Sequence, residues 1–224
     1  MISLPHPRTW PIWDLVFPPL CALCGRSLER DALLYCAACW TAAPLVDSAE
    51  LPKLKHVDQV RAAFRYGGDD VVKAAVHALK YDRLKLISLS MAQYLLPHVP
   101  VSFFEPRIAW TTVPLHWMRR INRGFNQSDL LANHLIRITY HAATVPLLVR
   151  IRNTPTQTTR SYRERSANIR DAFAVRSTLA VPKSVLLIDD VITTGATMDE
   201  CARALKAAGA EWVGALSFGL TSHA

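Results

Sequence analysis

The chain has 224 residues, half of them hydrophobic, and a formal net charge of +8 at pH 7. A half-apolar chain of this length can bury a sizeable core, which excludes a disordered protein. No apolar run reaches the roughly 18 residues that a membrane helix needs, and the N-terminus lacks a basic start, so we expect a cytoplasmic protein without membrane insertion.

The positive charge is unevenly distributed along the chain. Residues 1–47 contain three arginines and four acidic residues, so they carry a net −1 and leave +9 for residues 48–224. An excess of this size suits phosphate-rich ligands such as nucleotides, pyrophosphate or nucleic acid. Excess positive charge also keeps a protein soluble without binding any ligand, so the composition is consistent with both interpretations.

Four of the five cysteines form two C-x-x-C pairs with eleven residues between them. Four thiolates at this spacing can surround a metal ion as a tetrahedron, at about 2.3 Å from zinc. Iron also accepts four thiolates, but zinc is favoured because no redox role is indicated, and a reducing cytoplasm disfavours two disulfides. The predicted ligands are Cys21, Cys24, Cys36 and Cys39. Cys201 lies alone at helical spacing and is predicted to be a core residue.

Small and polar residues between Pro44 and Pro52 predict a domain boundary, with a zinc ribbon over residues 1–47 and a second domain over residues 48–224. The second domain begins with a predicted strand at "VRAAFRYGG" and a helix capped by Asp69 or Asp70. A helix at "LKLISLSMAQYLL" and a strand at "RIAWTTVP" follow.

The pattern continues with a helix from Gln127 to about Thr139, with Asn126 as its N-cap and Asp129 three residues on. A strand at "TVPLLVR", an arginine-rich loop, the strand "SVLLI", a helix to Gly209 and a last strand at "EWVGALSFG" complete the chain. Because strands alternate with helices, we predict an α/β fold with a mostly parallel sheet flanked by helices on both faces.

The stretch "SVLLIDDVITTGAT" carries the clearest functional signal. Its apolar run predicts a central strand, and the C-terminal ends of such strands bind ligands in open α/β sheets. Asp189 and Asp190 can accept hydrogen bonds from sugar hydroxyls there, while the "TTGAT" loop opens a helix whose N–H groups can bind a phosphate. The combination fits a ribose 5-phosphate.

The same residues resemble the phosphoribosyl-pyrophosphate (PRPP) signature of type I phosphoribosyltransferases. The wider order of motifs is similar to the ComF family: the four-cysteine ribbon, "LKYD" near residue 80, "VPLHWMRRINRGFNQSDLLA", "TQTTRSYRERSANIRDAF" and then the signature. This resemblance covers essentially the whole chain. It implies a phosphoribosyltransferase fold with an N-terminal zinc ribbon, and an association with competence, the uptake of single-stranded DNA for natural transformation.

The resemblance makes Asp189 and Asp190 the partners of the ribose hydroxyls and the expected catalytic residues. Arginines behind "VPLH" can hold pyrophosphate through a bidentate fork, and Lys80 is a further candidate for that task. Mg²⁺ is expected to accompany PRPP. The implied PRPP-binding residues are Asp189, Asp190, Val191, Thr193, Thr194, Gly195, Ala196, Thr197, Pro114, Leu115, Arg119, Arg123 and Lys80.

Residues 150–176 contain seven arginines against two acidic residues. In related transferases the corresponding segment resembles a mobile hood that closes over the substrate and excludes water. The charge equally fits a solvated face or a groove for a nucleic-acid backbone, on which aromatic rings can stack against bases. The candidate nucleic-acid residues are Arg160, Tyr162, Arg163, Arg165 and Phe125.

Two functions from different classes follow. In the first, a ComF-like protein binds PRPP and handles single-stranded DNA during uptake, with other competence proteins as partners. In the second, the chain is an active PRPP-dependent (amido)phosphoribosyltransferase of nucleotide metabolism, in which a nucleophile attacks the anomeric carbon and Mg²⁺ neutralises the leaving pyrophosphate. No residue identifies the acceptor, so the sequence leaves open whether the chain is an enzyme.

Overall fold

The computed structural model describes residues 18–30, 32–115, 124–152 and 169–221. Its strands are β1 (Gln59–Tyr66), β2 (Ile108–Thr112), β3 (Leu148–Arg150), β4 (Phe173–Val175), β5 (Ser184–Ile192) and β6 (Trp212–Thr221). Its helices are α1 (Ala37–Thr41), α2 (Val71–Lys80), α3 (Ile87–Leu95), α4 (Gln127–Thr139) and α5 (Ala196–Ala207). Short 3₁₀ helices cover Ser48–Glu50, Leu96–His98 and Val101–Phe104. In these ranges, none of the helices combines the length and apolar character of a membrane span.

The main sheet has the strand order β1-β6-β5-β2, and each neighbouring pair is parallel. The C-terminal ends of the four strands therefore meet at one edge, which we call the carboxyl edge. Ligands of open α/β sheets bind at such an edge. The predicted α/β fold with a mostly parallel sheet is confirmed.

Strand β5 is buried on both faces, as its continuous apolar run predicted. Leu186 and Ile188 pack in the cluster that contains α2, α3 and α4, whereas Val185 and Leu187 pack in the cluster that contains α5. All four side chains are completely buried. This burial fixes the end of the strand, and with it the acidic pair that follows.

The predicted strand at "TVPLLVR" differs from the structure. Only Leu148–Arg150 form a strand, which pairs antiparallel with β4 in a separate two-stranded sheet. The preceding residues run past the edge of β2, where the N–H of Val145 donates to the carbonyl of Trp110 at 2.8 Å. A short apolar run predicts a strand but not its partner, and β4 itself was not predicted because three residues give too little periodicity.

Side chains at the helix starts match the predicted caps. The Asp70 carboxylate accepts from the N–H groups of Val72 and Lys73 at the start of α2, and the Asn126 side chain accepts from the N–H of Ser128 at the start of α4. The third helix begins later than predicted, at Ile87, because residues 85–86 form a turn. These caps orient α2 and α4 at the carboxyl edge.

The four-cysteine segment packs against the α/β core. The indole of Trp40 stacks on the ring of Tyr94 at 4.7 Å between centroids and meets Phe218 of β6 edge-on at 6.0 Å. The chain leaving the segment lies along β1, because the N–H of Arg65 donates to Pro44 and the N–H of Val46 donates to Ala63. The domain boundary at residue 47 stays a prediction.

Candidate functional site

Asp189 and Asp190 lie at the carboxyl edge, near the end of β5. Asp189 is partly buried, whereas the Asp190 side chain is only 9% exposed. Two adjacent carboxylates with so little solvent repel each other unless protein groups balance their charge. Each of the two has a different partner.

Asp190 pairs with Lys80, the last residue of α2. The ammonium Nζ lies 2.6 Å from Oδ2 of Asp190, and the lysine side chain is 20% exposed. Burial lowers the pKa of Lys80, but the charges of Asp190 and Asp189 outweigh burial and hold the pKa above its usual value. The sequence singled out Lys80 as a ligand for pyrophosphate, and in this structure its ammonium contacts the acidic pair.

Asp189 is held by groups on its other side. Oδ1 accepts a hydrogen bond from the Ser128 hydroxyl at 2.7 Å and from the N–H of Asp190 at 2.9 Å. Burial, followed by the charge of Asp190, raises the pKa of Asp189 against the opposing effect of these hydrogen bonds and of Lys80. Sequence reasoning missed Ser128, although its position just after the predicted cap Asn126 placed it at the same edge.

The start of α4 connects β2 with the acidic pair. The Asn126 amide Nδ2 donates to the carbonyl of Val113 at 3.1 Å and to Oδ1 of Asp129 at 3.0 Å. Asp129 also accepts from the hydroxyl of Thr112. Because Pro114 and Leu115 directly follow these anchored residues, the start of α4 fixes where the "VPL" loop leaves the sheet.

The loop at Thr193–Thr197 leads from β5 into α5. Gly195 precedes the helix with φ of +77°, and as the N-cap residue it provides no side-chain hydrogen bond to the helix. The hydroxyl of Thr194 accepts from the N–H of Ala196 at 3.4 Å. An uncapped helix start presents N–H groups at the positive end of the helix dipole, which suits an anion such as phosphate.

The residues before β1, Leu54 and His56, contact the first turn of this helix, which sequence reasoning did not anticipate. The backbone N–H of His56 donates to Oδ1 of Asp199 at 2.7 Å, and its ring nitrogen Nδ1 lies 3.1 Å from Oδ2. Leu54 packs so closely on Gly195 that a Cβ added there would lie 2.5 Å from a leucine methyl. The φ of +77° favours glycine at this position, and a larger residue would also have to displace the end of the Leu54 side chain.

Several predicted residues fall outside the described ranges. They are Arg119, Arg123, Arg160, Tyr162, Arg163 and Arg165. Phe125 is described, and it is buried with 8% of its surface exposed. The ammonium of Lys85 lies 5.1 Å from the centre of its ring, so the exposed aromatic face needed for base stacking is largely covered.

The sulfur atoms of Cys21, Cys24, Cys36 and Cys39 all lie within 4.8 Å of one another. The Cys21–Cys39 and Cys24–Cys36 separations are 3.8 and 3.6 Å. A zinc tetrahedron with bonds of about 2.3 Å has edges of about 3.8 Å, so the four sulfurs fit a metal ion. All four thiols are free, and the predicted grouping of the cysteines is confirmed.

The family model of the phosphoribosyl transferase domain matches residues 124–218. The chain is 27% identical over 205 residues to Competence protein F of Haemophilus influenzae, covering 86% of this chain and 81% of the relative. It is 31% identical over 199 residues to DNA utilization protein YhgH of Escherichia coli K12, covering 85% and 86%. Competence protein ComFC of Bacillus subtilis is 28% identical over 187 residues, covering 83% and 71%. The chain therefore belongs to the ComF family of phosphoribosyltransferase-like proteins.

Proposed function

We propose that this chain binds PRPP at the carboxyl edge and acts in the uptake or use of DNA. The observation that supports PRPP as the ligand is the position of the acidic pair of β5 next to the start of α5, which lacks a side-chain N-cap. Gly195, in the left-handed conformation, lies between them. Carboxylates suit a sugar diol and helix N–H groups suit a phosphate, so the two features together select a ribose 5-phosphate.

In the proposed complex, Asp189 and Asp190 accept hydrogen bonds from the ribose hydroxyls. The loop Thr193–Thr197 receives the 5-phosphate, and the loop at Pro114 and Leu115 faces the pyrophosphate. Arg119 and Arg123 remain candidates for the pyrophosphate because they follow that loop in sequence. Bound Mg²⁺ supplies positive charge to the pyrophosphate oxygens.

For the four-cysteine site we propose Zn²⁺ with a structural role. All four ligand positions are filled by cysteine, which leaves no open position for a substrate. The sulfur of Cys21 also accepts from the N–H of Cys36 at 3.4 Å, a contact that stabilises a thiolate.

The DNA role follows from the names of the relatives, which describe competence and DNA utilization. The net charge of +8 supports contact with a polyanion. We propose that single-stranded DNA binds without strong sequence preference, with Arg160, Tyr162, Arg163 and Arg165 as candidate residues. Binding should weaken steeply with salt, and replacing Arg160, Arg163 and Arg165 with alanine should flatten the salt slope. Salt-independent binding would contradict a phosphate-backbone interaction.

Phosphoribosyl transfer is a second candidate activity. Asp189 favours it, because burial and the neighbouring Asp190 raise the pKa of Asp189 toward neutral pH, where a carboxyl group can exchange protons during catalysis. Release of pyrophosphate from PRPP in the presence of candidate bases or amines tests this activity.

Calorimetry with PRPP and Mg²⁺ tests the proposed ligand. Wild-type protein should bind, and Asp189→Asn combined with Asp190→Asn should weaken binding at least about tenfold, because hydrogen bonds to charged groups contribute roughly 1.5–3 kcal/mol. Glu211→Gln is the matched control, since Glu211 is exposed and pairs with Lys183 beside the N-terminal end of β6. Unchanged affinity in a folded double variant would rule out this site.

A further inference from the structure

The contact between Lys80 and Asp190 places the lysine ammonium beside a carboxylate that is proposed to bind the ribose of PRPP. We propose that Lys80 is a positioning residue, which balances the charge of the Asp190 carboxylate and holds it in place to accept a ribose hydroxyl, and that Lys80 does not contact the pyrophosphate. Because this role presupposes that the site binds PRPP, it rests on the proposed function.

Burial makes a counter-ion necessary. The Asp190 side chain is 9% exposed, and the neighbouring Asp189 is a second carboxylate on the same strand. A buried charge without a partner is strongly destabilising, and a like charge beside it adds repulsion. The Nζ of Lys80, at 2.6 Å from Oδ2 of Asp190, supplies the compensating charge.

The fold holds Lys80 in this position. Helix α2 starts at the Asp70 cap, and its residues Val72, Val76 and Leu79 are completely buried in the core. Lys80 is the last residue of that helix, so the buried helix fixes the backbone position from which the lysine side chain extends. The titratable groups whose charges act on Lys80 are Asp190, Asp189 and Tyr66.

The two carboxylates are supported from different helices. Asp190 has Lys80 from the end of α2, whereas Asp189 has the hydroxyl of Ser128 from the start of α4, at 2.7 Å. A lysine engaged with Asp190 serves the ribose end of the site. Losing it should therefore affect ligands that carry a ribose and spare those that do not.

Three ligands separate the two roles in Lys80→Met, which keeps the length of the side chain and removes its charge. At about pH 8 with Mg²⁺, affinities for PRPP and for ribose 5-phosphate should both fall at least about tenfold, while pyrophosphate binds as to wild type. Lys80→Arg, which keeps the positive charge, should restore much of the lost affinity. Lys183→Met is the control, because Lys183 forms an exposed ion pair with Glu211. Loss of pyrophosphate affinity with intact ribose 5-phosphate binding would overturn the proposal.

Thermal unfolding tests the same role without any ligand, so a failure of PRPP binding in wild type would not obscure it. Lys80→Met should lower the melting temperature by at least about 5 °C, because it leaves the buried Asp190 carboxylate without its counter-ion. Adding Asp190→Asn should recover most of the loss. An unchanged melting temperature in Lys80→Met, or no recovery in the double variant, would contradict a counter-ion role.

Discussion

The two aspartates of the signature have different surroundings, and this difference sets their expected behaviour. Asp190 contacts an ammonium group at 2.6 Å, whereas Asp189 accepts hydrogen bonds from a neutral hydroxyl and a backbone N–H. Burial and the charge of Asp190 raise the pKa of Asp189 to about 7. A carboxyl group that titrates near neutral pH gives the site a built-in pH dependence.

We predict that PRPP affinity rises between about pH 6 and pH 8, as Asp189 loses its proton and becomes a better acceptor for a ribose hydroxyl. Ser128→Ala should move the midpoint to higher pH, because the Ser128 hydrogen bond stabilises the charged form of Asp189. Calorimetric titrations across this range measure both midpoints.

Asp189→Asn is the control for these titrations, because the phosphates of PRPP titrate in the same range. The variant keeps the phosphate contribution to the profile and removes that of Asp189. Identical profiles for wild type and Asp189→Asn would show that Asp189 does not titrate in this range. The raised pKa also lowers stability as pH rises from about 4 to about 7, since the unfolded carboxyl group ionises near pH 3.9.

At the residue scale, the sequence identified the groups that lie in one continuous motif. Asp189, Asp190 and Gly195 are recognisable because they lie within seven consecutive residues, so one short motif contains both the acidic pair and the glycine before the helix. The supporting residues Ser128 and His56 were missed, since Ser128 is 61 residues from Asp189 and His56 is 143 residues from Asp199. Contacts between such distant residues arise from the fold and leave no local pattern.

At the scale of elements, the start of α4 holds two loops in register. Asn126 caps the helix with its side-chain oxygen Oδ1, and its Nδ2 donates to the carbonyl of Val113, while Ser128 two residues further contacts Asp189. The same few residues thus hold the end of β2 against the end of β5. A change at Asn126 should affect both stability and the site.

We predict that Asn126→Ala lowers the free energy of unfolding by about 1–2 kcal/mol, because it removes the cap and the bond to Val113. It should also weaken PRPP binding, since the "VPL" loop loses its anchor. Asn126→Asp separates the cap from the amide donor: its carboxylate can still cap the helix, but it cannot donate to Val113 or to Asp129, whose carboxylate it then faces. Urea unfolding and calorimetry on the same samples measure them.

If Asn126→Asp bound PRPP as tightly as wild type, the bond to Val113 would have no part in the site. Loss of affinity with nearly wild-type stability would instead assign the effect to the hydrogen bonds that the Asn126 amide donates to Val113 and Asp129. Asp70→Ala, which removes the cap of α2, provides a reference for the cost of losing a cap alone.

Elements with strong periodicity were predicted well, and those defined by pairing were not. Helix α4 and strand β5 have the predicted bounds to within a few residues, because periodicity and caps are local signals. Strand β3 was predicted as part of the main sheet, yet it pairs with β4. Which strands pair depends on contacts across the chain that no local signal encodes.

At the scale of the whole molecule, the four-cysteine segment and the α/β core share one hydrophobic cluster. Cys36 and Trp40 pack in the same cluster as Phe64, Leu216 and Phe218. Beyond this segment, the side chain of Glu50 accepts from Arg65 at 2.7 and 2.8 Å, and His56 contacts Asp199. Contacts thus run from the cysteines through residues 44–58 to the start of α5.

This continuity changes the outcome expected from removing the metal. A separate ribbon would melt alone when Cys21 or Cys36 is replaced by serine, and PRPP binding would stay unaffected. Because Trp40 stacks on Tyr94 and meets Phe218, loss of order at the cysteines should expose part of the main core. PRPP binding should remain measurable, but the stability of the whole molecule should fall.

We therefore predict about one zinc ion per freshly purified, reduced chain, and one cooperative unfolding transition in its presence. Cys36→Ser should abolish the bound metal and lower the midpoint of that transition by several degrees, because metal binding contributes directly to folding energy. Cys201→Ala is the control, because Cys201 is a buried thiol in the hydrophobic cluster that contains α5. It should keep the metal, so it separates the loss of a metal ligand from the loss of a core side chain. Metal content by mass spectrometry, with tryptophan fluorescence and circular dichroism followed during heating, measures these effects. A Cys36→Ser protein whose α/β core unfolded at the wild-type temperature would show that the cysteine segment does not stabilise the core, despite the stacking of Trp40 on Tyr94.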